Sequence, residues 1–198
     1  TLATSHVIFN ELKLENEVIQ FHSNRSGELG VARDGDKLVL DFPSYPMTEI
    51  EQSDELAQAV GIVPTKVFEA QGNMVFLRVE TEEEIRRLEP DFNALLQLAY
   101  EEVVVTAPGE TSDFASRMFA PRIGIPEDPV TGAIHCSLIP YWADKLGKDK
   151  LFARQVSARG GELFCEIAGD RVRIGGNAVT FLKGEIYVEA GNEKRAGA

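Results

Sequence analysis

The sequence lacks most of the features that announce a function. It holds two cysteines, Cys136 and Cys165, far apart and without CxxC or metal-ligand spacing, so a disulfide or zinc scaffold is excluded and a reducing, cytoplasmic setting is expected. Three histidines scattered over 198 residues make no metal cluster. No Lys/Arg-rich run occurs and the formal net charge is −12, which argues against nucleic acid and anionic membranes, since both demand clustered cations. The longest apolar runs, such as Val103–Ala107, fall far short of the ~20 residues of a membrane span. No basic-then-apolar leader opens the chain, which begins Thr1-Leu2-Ala3 without methionine. G-x-G-x-x-G, Walker and G-x-S-x-G motifs are absent, so no nucleotide cofactor is implied.

What remains is ordinary globular chemistry, 43% hydrophobic, in a chain long enough for one sizeable core or two small ones. Thr1–Leu14 carries a helical pattern, and Gln20–Phe42 reads as strands with an Asp34-Gly35 turn. Pro43-Ser44-Tyr45-Pro46 stops them and marks a linker. Ser53 caps a short helix released at Gly61, and Lys66–Glu80 holds two strands around Gln71-Gly72-Asn73. Thr81 and Glu84 fit a capping box, with Glu82-Glu83-Glu84 and Arg86-Arg87 read as a solvated face. Pro90 ends that helix, and Asp91 caps another through Leu98. Glu102–Ala107 is a strand by its valines, and Pro121–Pro126 is a loop. Asp128–Leu146 is the strongest helix, closed by Gly147; short strands to Val188 and a polar tail, Gly191–Ala198, follow.

One segment is repeated. Ser23-Asn24-Arg25-Ser26-Gly27-Glu28-Leu29 matches Ser157-Ala158-Arg159-Gly160-Gly161-Glu162-Leu163 without a gap, and the same alignment sets Gly35-Asp36-Lys37-Leu38 on Gly169-Asp170-Arg171-Val172. A helix opening with threonine precedes each copy, at Thr1 and at Thr131. Each unit is therefore helix, strand, hairpin and strand, as a duplication leaves behind. Symmetry of the two copies would place on the order of 80 further residues ahead of Thr1. The chain is on that ground expected to be a fragment or shortened product.

Glu127-Asp128-Pro129-Val130-Thr131-Gly132 places Asp128 at the N-cap, Pro129 at N1 and Gly132 in the first turn of the long helix. Capping alone accounts for the aspartate. The small residues Gly132 and Ala133 add a second reading, because they leave helix N-terminal amides open to an anion.

Asp128-Pro129-Val130-Thr131-Gly132-Ala133-Ile134-His135-Cys136, upstream Arg117-Met118-Phe119-Ala120-Pro121 and downstream Gln155-x-Ser157-x-Arg159-Gly160-Gly161 resemble the phenazine-biosynthesis PhzF-like isomerase family nearly end to end. The resemblance implies an α+β, diaminopimelate epimerase-like fold of two similar domains, each a β-barrel-like sheet around a central helix, the first incomplete. On that reading residues 1–43 end the first domain, 44–180 form the second, and 181–198 supply a final strand and tail that return to the first. It implies Asp128 as a site carboxylate, with Thr131, Gly132 and Ala133 at the substrate; Ala133 replaces the family's more usual serine. Gln155, Ser157, Arg159 and Gly160 are candidate substrate contacts, although Ser23 and Arg25 repeat two of them and suit simple hairpin support.

The implied chemistry is cofactor-independent proton transfer on a small carboxylated metabolite in an interdomain cleft. Amino-acid epimerisation or racemisation, and a noncatalytic binding module, are the rivals. Moving a proton between carbons needs a base at one and an acid at the other. An N-capping aspartate is a poor proton donor, because helix amides stabilise its charged form, so Asp128 is assigned to positioning and proton relay. The family's principal glutamate and its Gly-His motif match nothing in these residues, and the chain alone is expected to be catalytically defective. Cys136 reads as inert core, and self-association to a dimer or larger is expected from open strand edges.

Overall fold

The computed structural model describes residues 1–24 and 26–187. Arg25 and the expected tail at Gly191–Ala198 lie outside them. Helix α1 (Leu2–Asn10) leads into a three-stranded meander, β1 (Val18–Ser23), β2 (Gly27–Asp34) and β3 (Lys37–Pro43). After Pro43 come β4 (Thr48–Ile50), α2 (Asp54–Val60), β5 (Lys66–Ala70), β6 (Met74–Arg78), α3 (Glu82–Arg86) and α4 (Phe92–Gln97). Then follow β7 (Glu102–Pro108), β8 (Phe114–Ala120), the short β9 (Ile125–Glu127) and the long α5 (Gly132–Leu146). A second meander closes the series: β10 (Lys150–Gln155), β11 (Gly161–Ala168) and β12 (Arg171–Gly176).

Local chemistry sets these boundaries. Ser53 accepts Leu56 N and Gly61 ends α2 at φ +79°, Thr81 and Glu84 form a reciprocal capping box, and Asp91 accepts the amides of Asn93 and Ala94. One expectation fails in this region. Glu82 is buried rather than solvated, held by Arg86 and by the amide of Glu110 at 2.8 Å.

Among the described residues the strands join in one twelve-stranded sheet, ordered β1-β2-β3-β12-β11-β10-β8-β7-β6-β5-β4, with β9 on β8. The two meanders are the repeated segments, and they meet where β3 pairs antiparallel with β12. Leu40 lies opposite Ile174, its own equivalent in the repeat, so the seam runs through a local two-fold relation. Strands β6 to β8 are covered on both faces, which explains valines without alternation. One face carries Val75, Leu77, Val103, Val105 and Phe119 against α2, α3 and α4.

The other face packs on α5, whose residues from Ile134 to Ile139 are all buried. The helix crosses the strands. Thr131 bonds Gln155 of β10, His135 lies against Phe114 of β8 at 5.8 Å, Trp142 bonds Thr106 of β7 at 3.0 Å, and Tyr141 meets Phe68 of β5 at 5.2 Å. Helix α1 covers the first meander through Phe9, whose carbonyl accepts Arg33 Nη2 at 2.7 Å. Most of the final strand and tail expected over 181–198 lies outside the described residues; 177–187 carry no regular structure, and Phe181 is 97% exposed. The segment instead lies along α1, with Thr180 bonded to Glu11 at 2.8 Å and Lys183 paired with it. No helix is long and apolar enough to cross a membrane among the described residues.

Candidate active site at the start of the central helix

The long helix begins three residues later than its sequence suggests. Its N-cap is Thr131, at φ −113° and ψ 108°, and no side chain caps the first turn. Asp128 therefore does not cap α5, and the expected conflict between capping and proton transfer disappears. Its carboxylate instead accepts the Thr131 hydroxyl, Oγ1 to Oδ2, at 2.5 Å. Among the described residues no other bond to that carboxylate is formed.

A buried amide fixes the loop that carries both residues. Gln155 is 1% exposed, and its Nε2 donates to the Asp128 carbonyl at 2.7 Å and to Thr131 Oγ1 at 3.2 Å, while its Oε1 accepts Thr131 N at 2.8 Å. Both polar atoms of the side chain are thus bonded to residues 128–131, which they hold from behind the loop. Ser157 works beside it, donating to the Pro129 carbonyl at 2.9 Å and accepting Gly160 N at 3.0 Å. Gly160 adopts φ +69° in that turn. Arg159 is exposed on the same turn, and Ala133 is exposed at the helix start beside half-buried Gly132.

Both helix N-termini stand on the β3–β12 seam. A methyl group on Gly132 would lie 3.6 Å from Leu40 Cδ1, and one on Gly176 would lie 3.6 Å from Leu2 Cδ2 of α1. Thr131 makes no side-chain bond to the first turn of α5, whose N–H groups point along the helix toward this stretch of the sheet.

The sequence pattern of the family described as "Phenazine biosynthesis-like protein" matches residues 1–184. The chain belongs to that family. An uncharacterized isomerase of Pseudomonas aeruginosa is 48% identical over 186 residues, covering 94% of this chain and 70% of its own length. The human phenazine biosynthesis-like domain-containing protein is 34% identical, over 94% of this chain and 71% of its own. The crystal structure of a PhzF family protein from Enterococcus faecalis matches with a TM-score of 0.88 at 41% identity, covering 94% of this chain and 71% of that one. The α+β fold is the family's.

Within this phenazine biosynthesis-like chain, several supports of the site went unread in the sequence. Arg117 pairs with Glu127 in two bonds of 2.6 and 3.0 Å and also donates to the carbonyls of Ile85 and Leu88, so it pins β9 just ahead of Asp128. The signal was there, an Arg and a Glu flanking a Gly/Pro turn. Gly161 admits Val130, since a methyl there would meet Val130 Cγ2 at 2.3 Å. Burial pushes the Cys136 thiol up to about 12, which leaves it an inert core residue. His6 is half-buried and bonded to Asn10 and Thr180. The roughly 700 Å³ groove lined by Gln20, Val39, Phe164 and Arg173 lies on the outer face of the two meanders and contains none of the eight candidate residues.

Proposed function

We propose that this chain carries the Asp128 side of an isomerase site that moves a proton on a small carboxylated metabolite, without a cofactor, at the seam where α1 and α5 begin. The observation that carries the reading is the uncapped first turn of α5 beside a carboxylate held by Thr131. Helix N–H groups favour an anion, so a substrate carboxylate would take the amides of Gly132 and Ala133. That anchoring sets a neighbouring carbon within reach of Asp128. Asp128 makes no bond to the helix amides, and a proton is moved by a group placed within reach of the reacting carbon. Arg159, exposed on the turn whose Ser157 bonds the Pro129 carbonyl, is the cation we assign to balance a second acidic group.

Relatives named as isomerases support the reaction class. The test is turnover, or solvent-deuterium exchange into a carboxylated substrate, by the complete gene product with and without Asp128→Asn. Asparagine keeps the bond from Thr131 yet carries no exchangeable acid proton. A fall of at least about a hundredfold is expected, in line with loss of a general acid or base. Unchanged exchange would remove Asp128 from the chemistry.

A further inference from the structure

A row of polar side chains crosses the core beneath α5. Thr106 of β7, Ser116 of β8 and Gln155 of β10 are in register across three neighbouring strands, and all are at most 1% exposed. The two ends of the row are bonded. Thr106 accepts Trp142 Nε1 at 3.0 Å and donates to the Ala115 carbonyl, and Gln155 holds the Asp128 loop. Its middle is not: Ser116 Oγ is buried without a partner.

His135 lies over the same strand, against Phe114, fully buried. Its Nδ1 is 2.7 Å from the Thr131 carbonyl, which has no proton to give, so Nδ1 carries the hydrogen. Burial pushes the imidazole down to about 4, hence the ring is neutral at physiological pH and Nε2 is a bare acceptor. That atom is also buried without a partner. Helix α1 shows what the bond to threonine requires. There Ser5, at the position aligned with His135, donates to the Thr1 carbonyl at 3.0 Å. A hydroxyl suffices for that bond; the imidazole's second nitrogen is what α5 adds.

We propose that the Ser116 hydroxyl donates to His135 Nε2, directly after side-chain rotation or through one internal water, and that this link makes His135 a positioning residue for Thr131 and Asp128. A buried lone pair with no donor is costly, and the buried side-chain donors left open among the described residues are Ser116 Oγ and Arg78 Nη1. Arg78 lies over Trp142 at 5.0 Å, two helical turns beyond His135. Ser116 is therefore the donor at hand. The pinned ring holds the Thr131 carbonyl, and Thr131 in turn aims its hydroxyl at Asp128. The last step rests on the proposed role of Asp128; the Ser116–His135 link does not.

The experiment uses the complete gene product with ¹⁵N-labelled histidine. Long-range proton–nitrogen spectra should show His135 protonated at Nδ1 alone, and Ser116→Ala should move the Nε2 resonance toward its free, unbonded position. In turnover, Ser116→Ala should lower kcat on the order of tenfold with little change in KM, as a misaimed group does. His135→Asn, which keeps a donor for Thr131 but loses Nε2, should fall equally, and the double variant should fall no further than either. Ser116→Cys, a weaker donor of similar size, should recover part of the loss and serves if the alanine variant unfolds. An unmoved Nε2 resonance, a proton on Nε2, or strictly multiplicative kcat losses would overturn the inference. Full turnover by Asp128→Asn alongside a shifted Nε2 would sink the proposed function and leave the link standing.

Discussion

The hairpins β1–β2 and β10–β11 share Ser-x-Arg-x-Gly-Glu-Leu, yet they close differently. In the first, pairing runs to Ser23 opposite Gly27, and Ser23 Oγ accepts Ser26 N at 3.3 Å. In the second, pairing stops at Gln155 opposite Gly161, which leaves Ser157 beyond the strand. Its hydroxyl keeps the turn bond, to Gly160 N, and also reaches the Pro129 carbonyl. The same sequence thus supports a turn in both copies and clamps the Asp128 loop in one. A slightly wider opening, rather than new residues, brings Ser157 to the Pro129 carbonyl. One substitution completes the difference: Gln155 stands where the first copy has Phe21.

The strongest way to break this comparison is at that position. Gln155→Leu leaves Thr131 N and the Asp128 carbonyl without their buried partner and should cost about 4 kcal/mol, against about 1 kcal/mol for Phe21→Leu in the half-buried edge copy. Equal losses in urea unfolding would mean that the two hairpins do not differ in kind. The helices give the next contrast. His135 is held neutral with its folded value near 4, below the usual 6.5, so the folded state binds fewer protons than the unfolded chain in that window. Stability should be full above pH 6.5 and decline by about 3 kcal/mol as pH falls to 4. His135→Asn should flatten that part of the profile, whereas Ser5→Ala in α1 should leave its slope unchanged.

Smaller effects sharpen the picture. Gly161→Ala should cost about 2 kcal/mol by displacing Val130, and Val130→Ala should recover most of it. Gly27→Ala meets nothing within 4 Å, so its cost is confined to the φ of +70°, about 1 kcal/mol, and no compensating partner exists for it. At the bottom of the scale, the exposed pair of His22 and Glu28 should contribute less than about 0.5 kcal/mol, read as an unchanged Tm in His22→Ala.

The parts legible in the sequence were those with local causes. Ser53, Thr81 and Asp91 cap helices within a few residues of themselves, and the Asp34-Gly35 turn needs only its own backbone. The repeat, read as two like units, emerges as two meanders paired at β3 and β12. The start of α5 was misread because an Asp-Pro pair suits a helix entry so well; what moved it to Thr131 was a distant amide, Gln155, whose bonds no local pattern reveals. The burial of Glu82 escaped for a like reason, since its partner amide at Glu110 comes from the loop between β7 and β8. The residues around Asp128 were found by motif, but that Gln155 and Ser157 hold the loop from behind depends on packing alone.

The seam at Leu40 and Ile174 has one more consequence. Alternate residues of a strand face opposite sides, so a slip of β3 by a single position would turn Leu38 and Leu40 outward and thrust Val39 and Asp41 under the helices. Gly132 rests on Leu40, and Leu2 sits over Gly176, the partner of Leu38. Both helices would lose their footing together. Alignment of the strands and aim of the helix ends are therefore a single setting, locked by one row of aliphatic side chains.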